Sequence, residues 1–253
     1  RGLIAKGEGR QATQLLLNEL RQDPGNVQAL LLHADLLVDS GRNQEALMKL
    51  HRILELEPAN VQAHVRAGAI ALEEQRWEEA FIEWGLVRRL DPSHSTASLY
   101  LAKTLLFMDR PDAARPLLQE RLDRMGEDES RESKLELATL LLQAGEPSMA
   151  AGILQALTND RNDAEQLRLL AVALFASDQR DEGAATSRRV LRLQPDCIAS
   201  MHNLALWAFS SEHYRLSWGW VRKGLAIDPQ DEELRRLRSR LIWKSIRSFF
   251  TRK

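Results

Sequence analysis

Residues 27–60 read VQALLLHADLLVDSGRNQEALMKLHRILELEPAN, and residues 61–94 read VQAHVRAGAIALEEQRWEEAFIEWGLVRRLDPSH. The two strings place small residues and a proline alike: Ala34 and Gly68, Ala46 and Ala80, Pro58 and Pro92. Within the first, Leu30, Ala34 and Leu37 are spaced four and three apart and share one helical face. Gly41 breaks that helix. Ala46, Leu50, Ile53 and Leu54 then form the face of a second helix. Pro58 stops it, because proline lacks the amide proton and its ring clashes with the preceding turn.

The same period runs through the chain. Ala12, Ala46, Ala80, Ala114, Ala150, Gly183 and Ser217 are separated by 34, 34, 34, 36, 33 and 34 residues. Ala34, Gly68, Ala102, Ala138, Ala171 and Ala205 keep step with them, as do Pro24, Pro58 and Pro92, then Pro195 and Pro229. A small residue belongs where paired helices cross, since a large side chain there pushes the axes apart. One helix pair cannot bury both its faces, so consecutive pairs must stack.

Leu30, Ala34, Leu37, Gly41, Ala46, Leu50 and Pro58 fill one repeat signature. Ala67-Gly68, Trp77, Ala80, Trp84 and Pro92 fill it again, and so do Leu204-Ala205, Tyr214, Ser217 and Pro229. This signature resembles that of the tetratricopeptide repeat family, over nearly the whole chain. The resemblance is specific for fold and much less so for function. It implies an all-α, right-handed superhelical solenoid of helix–turn–helix repeats with a C-terminal capping helix. The expected divisions are a partial first repeat at 1–26; full repeats at 27–60, 61–94, 95–130 (with an acidic linker), 131–163, 164–197 and 198–230; and a basic amphipathic cap at 231–253.

Three departures stand out. Arg1 is not an initiator Met and the first unit lacks its first helix, so the chain reads as a fragment or processed form. Its setting is then either cytoplasmic or tethered to the inner membrane by a segment upstream. Gly126 replaces the proline of the fourth unit and precedes the acidic run Glu127-Asp128-Glu129. Residues 158–163 form a polar turn without proline. Both places are either hinges or ordinary loop variants.

Composition excludes several classes. Cys197 is the sole cysteine, which rules out an internal disulfide framework and a multi-cysteine metal site. No apolar run approaches the roughly 20 residues that span a bilayer. The net charge of −1 hides an asymmetry, because residues 231–253 carry +5 (eight Lys and Arg, three Asp and Glu) and the remainder −6. The six histidines lack metal-protease spacing, and His33 and His64 read as surface or groove side chains of adjacent first helices. Gly7-Glu8-Gly9-Arg10-Gln11-Ala12 imitates a phosphate-binding string but falls on a helical turn, without the strand such a loop requires. No catalytic, metal or cofactor-binding residue is assigned, and the chain is not expected to be an enzyme.

In the family that this array resembles, the first helices line a concave groove that binds peptides. Projecting the repeat frame places Leu31, Asp35, Val65, Leu72, Leu99, Lys103, Leu106, Leu135, Leu142, Arg168, Phe175 and His202 inward, with Arg66, Tyr100 and Asn203 at the margin. The Lys/Asn carboxylate clamp of the family's chaperone-binding branch is absent from these places. Leu31, Val65, Leu72, Leu99, Leu106, Leu135 and Leu142 form an apolar strip. They either await a partner helix or extended segment, or are covered by tight winding.

At the C-terminus, Leu234, Leu237 and Leu241 make a stripe suited to capping the last repeat. Arg240, Trp243, Lys244, Arg247, Phe249 and Phe250 exceed what a cap needs. A plain cap, docking to a partner, a second copy or an anionic membrane, and single-stranded nucleic acid are the open readings; the acidic body and small footprint disfavour the last. The expected function is a non-enzymatic interaction scaffold binding a helix or extended peptide. The Ala/Leu/Arg-rich composition looks like that of bacterial envelope, secretion or polysaccharide-assembly proteins. The alternatives are a regulatory or targeting module of a larger enzyme such as a glycosyl- or sulfotransferase, or a peripheral membrane assembly factor using its basic C-terminal helix.

Overall fold

The computed structural model of the protein describes residues 9–126, 128–159 and 163–250, with side chains placed from residue 13 to 245. Arg247, Phe249 and Phe250, three of the residues proposed for docking, therefore lie outside the described side chains, as does Ala12. Among the described residues there are fourteen helices and no strand. The chain divides into two compact units, Arg1–Met125 and Gly126–Lys253.

The first unit holds α1 (Gly9–Gln22), α2 (Val27–Asp39), α3 (Asn43–Leu56), α4 (Val61–Glu73), α5 (Trp77–Leu90), α6 (Ala97–Phe107) and α7 (Pro111–Asp123). The second holds α8 (Arg131–Gln143), α9 (Pro147–Asn159), α10 (Ala164–Ala176), α11 (Arg180–Leu193), α12 (Ile198–Ser210), α13 (Tyr214–Ile227) and α14 (Glu232–Phe250). Within each unit every helix packs on its successor, and α2 also meets α4, as α8 meets α10.

The packing landmarks sit at the dry centre of each hairpin. Ala34, Ala46, Ala80, Ala102, Ala114, Ala138, Ala150 and Ala205 have no exposed surface. Ser217 replaces alanine in this series and is equally buried; its hydroxyl donates to the Ala205 carbonyl at 2.8 Å, which removes the cost of an unsatisfied buried oxygen. Gly68 and Gly183 replace alanine for a steric reason. A Cβ on Gly68 would lie 2.9 Å from the Trp84 indole nitrogen, and one on Gly183 would lie 3.0 Å from the Phe175 ring.

The helix starts follow two rules. Four first helices are capped by side chains: Asn26, Asn60, Ser130 and Asp163 each accept a hydrogen bond from the amide three residues on, whereas Thr96 and Cys197, before α6 and α12, provide none. Such a cap satisfies one of the orphan amides of the first turn. Second helices begin straight after a tight turn, and Arg42, Arg76, Arg110, Gln179 and His213 provide no side-chain cap. The turn itself recurs: Gly41, Gln75, Asp109, Gly145, Asp178 and Glu212 all adopt left-handed φ between 56° and 78°. Only two of the six are glycine, although a side chain disfavours that conformation.

His33 and His64 require correction: they are core side chains, 6% and 5% exposed, not surface or groove residues. His64 meets Glu83 Oε2 through Nδ1 at 2.6 Å and the Pro58 carbonyl through Nε2 at 3.1 Å. It thereby ties the loop before α4 to α5. Burial, then Lys49 and Arg42, push the His33 pKa below its ordinary value.

Candidate functional site

The open concavity of the first unit is assembled from three helices. On α4, Val65, Ala69 and Leu72 are spaced four and three apart, so they form one stripe. Tyr100, Lys103 and Phe107 make the corresponding stripe on α6, with Thr96 just before it. Trp77 and Trp84 of α5 lie between the two. Together with Glu73 and Gln75 these residues enclose a cavity of about 800 Å³.

Aromatic contacts hold the walls. Trp84, 1% exposed, packs its ring 4.7 Å from Tyr100. Trp77 and Phe107 stack at 4.5 Å with planes 12° apart. Such pairs add to simple area burial and fix ring orientation. The Lys103 ammonium stands 5.8 Å from the Tyr100 ring centre, within cation–π range. The slot is thus apolar at its base, with Glu73 and Lys103 supplying both signs of charge.

Beside it, Arg66 grips Asp35 with two hydrogen bonds, Nε–Oδ1 at 2.5 Å and Nη2–Oδ2 at 2.9 Å, and donates a third to the Gln62 carbonyl at 3.1 Å. This pair joins successive first helices, so both side chains already have structural work. Groups of three or more His, Cys, Asp or Glu that could hold a metal do not occur among the described residues.

The inward residues expected from the repeat frame thus separate. Val65, Leu72, Tyr100 and Lys103 come together in the slot, while Leu106 is half-buried and does not line it. Leu31 and Leu99 are 4% and 3% exposed, so these two members of the expected open strip are core instead. Their neighbours cover them, as the winding alternative requires. In the second unit, Leu135, Leu142, His202 and Asn203 are half-buried. Phe175 packs over Gly183. Arg168 chelates Glu165, whose side-chain hydrogen bond lowers the carboxyl pKa and raises that of the guanidinium. Phe107 was missed by sequence reasoning; it ends α6 one residue beyond the projected Leu106.

Comparison with known proteins follows the same line. Residues 31–95 match the tetratricopeptide repeat family model. Among curated proteins no match is detected. A tetratricopeptide repeat protein from Parabacteroides merdae is similar at 16% identity and TM-score 0.59, covering 95% of both chains. PilF of Pseudomonas aeruginosa is similar at 22% identity and TM-score 0.61, covering 83% of this chain and 93% of that one. PilW, a type IV pilus biogenesis factor, is similar at 13% identity and TM-score 0.57, over 83% and 97%. The fold is a helical-hairpin repeat array, which supports a protein–protein interaction module. Residues 31–95 carry tetratricopeptide repeat sequence, and the fold of the chain is similar to that of tetratricopeptide repeat proteins.

Proposed function

We propose that this protein is a non-enzymatic scaffold whose first unit binds a helix or extended segment of another protein, seating a large apolar side chain in the aromatic slot. The carrying observation is the cavity between α4 and α6, whose base is apolar and whose rings are locked by stacking. Locked walls reduce the ordering cost of binding. A single anchoring side chain in a desolvated pocket can dominate the affinity of such an interface. A setting within a bacterial envelope, secretion or polysaccharide-assembly complex belongs to the same proposal, supported by the Ala/Leu/Arg-rich composition and the missing carboxylate clamp.

Selection of a displayed random 12-residue peptide library on the immobilised full chain tests this. The selected peptides should share apolar anchors. Their affinity should fall at least about tenfold in Val65→Glu and in Phe107→Ala, each loss of ~1.4 kcal/mol being a factor of ten. Phe107 is 52% exposed, so its truncation leaves the core intact. Peptides indifferent to both changes, in variants with the parental circular dichroism spectrum, would remove the slot from the functional account.

A further inference from the structure

The outer face of α13 and α14 carries exposed apolar side chains that the hairpin packing does not use. Leu234, Leu237 and Leu241 of α14 are buried against Ala205 and Val221. On the rest of that helix Ile242 is 44% exposed and Trp243 is 73% exposed, and on α13 Trp218 is 41% exposed. Tyr214, Arg215, Trp218, Leu241, Ile242 and Ser245 line one shallow cavity of about 420 Å³, so the exposed faces of the two helices are continuous.

Beyond its first turn, α14 contributes charge of one sign to this face. From Leu234 to the last residue the sequence contains eight Lys and Arg and no acid. Glu232 and Glu233, in the first turn of α14, both pair with Arg236 at 2.9 Å. Arg238, Arg240 and Lys244 thus accompany Ile242 and Trp243 on a stretch of α14 without an acidic residue, and Arg215 of α13 lines the cavity beside them; Lys244 leans over the Tyr214 ring at 5.5 Å. Ile246, Phe249 and Phe250 extend the apolar composition beyond the described side chains.

We propose that this end of the second unit docks on an anionic lipid bilayer, with Trp218, Ile242 and Trp243 entering the interface and the surrounding arginines and Lys244 meeting lipid phosphates. Charge and shape both point there. A protruding tryptophan flanked by cations needs a deformable, negatively charged acceptor, and the headgroup layer provides one at the depth that suits an indole. Juxtaposed Lys and Arg add attraction to acidic lipids that falls off within a Debye length. No helix among the described residues is long and apolar enough to cross the membrane, so the contact is one of surface adsorption.

Flotation of the full chain with vesicles provides the test. Vesicles of phosphatidylcholine with 30% phosphatidylserine should carry the protein upward in 0.1 M salt and release most of it in 0.5 M. Replacing Arg238, Arg240 and Lys244 together by Gln should lower partitioning about 100-fold, at roughly fivefold per cation. Trp243→Ser should lower it further at constant charge. All four residues are exposed, so unchanged thermal melting is expected and checks the fold. Phe107→Ala should float like the parent, which separates this surface from the peptide slot. Three outcomes overturn the proposal: no flotation with acidic vesicles, equal flotation with phosphatidylcholine alone, or salt-sensitive self-association in sedimentation velocity that disappears in Trp243→Ser while vesicles go unbound.

Discussion

The slot of the first unit and the outer face of the second use the same residue types to opposite ends. Around α5, the rings come in pairs: Trp84 on Tyr100, Trp77 on Phe107. They are fastened to one another and leave a cavity. On α14, Trp243 stands 73% exposed and Ile242 lies beside it in a cationic field. The contrast shows that aromatic content says little until its partners are known. A ring sandwiched by its neighbours shapes a receptor for a side chain, whereas a solitary ring among arginines is itself the inserted group.

The largest effect should come from exchanging the role of one ring. Trp84→Ala empties a fully buried site and should cost about 3–5 kcal/mol in urea denaturation. The corresponding loss at the other face, Trp243→Ala, should stay within about 0.5 kcal/mol, as for ordinary surface changes. Comparable costs at the two sites would abolish the distinction drawn here.

Next comes the space that Trp84 occupies. Gly68→Ala places a methyl 2.9–3.1 Å from three atoms of the indole, and overpacking of this kind should cost about 1–3 kcal/mol. The pair Gly68→Ala with Trp84→Leu restores the Ala34–Leu50 combination of the preceding repeat and should recover part of that loss. A double variant less stable than the sum of the singles would refute the steric account of this glycine.

Acid should act on the first unit through His33. The His33 pKa is depressed below 6.5 in the folded state, so over the interval between the folded and unfolded values the unfolded chain binds more protons. This contribution is complete above the unfolded pKa and is lost as pH falls through it. Melts between pH 7.5 and 5 should therefore show the first unit weakening, with a shallower slope in His33→Phe. An identical slope in the variant would dismiss His33 as the source.

The smallest expected change is a gain. Glu212 holds φ of 61° where Gly41 and Gly145 occupy the equivalent turns. Glu212→Gly relieves a left-handed side chain but adds freedom to the unfolded chain, leaving up to about 1 kcal/mol of net stabilisation. Destabilisation would mean that the Glu212 side chain contributes a contact outweighing its backbone strain.

Much of the architecture was legible because it is written in spacing. Ala34, Ala46, Ala80 and Ala205 were assigned to helix crossings from period alone, and all are fully buried. Leu234, Leu237 and Leu241 were read as a covering stripe, and they pack on Ala205 and Val221. The slot was half legible. Val65, Leu72, Tyr100 and Lys103 followed from the repeat frame, but Leu31 and Leu99 have the same periodicity and are core. Phe107 carried no signal, since its position just past a leucine resembles a helix end rather than a wall. His33 and His64 were misplaced for a related reason: polarity suggested solvent, while a loop carbonyl and a carboxylate give His64 a place inside.

Linear order was enough to establish the recurring hairpin, its breaks and the small residues at its crossings, because helical period and the backbone limits of proline and glycine act over a few neighbours. Whether a given inward side chain is covered or left open was settled by packing. It depends on the volume of residues on the neighbouring helix, as Trp84 against Gly68 and Phe175 against Gly183 show, and such complementarity arises only when the helices meet.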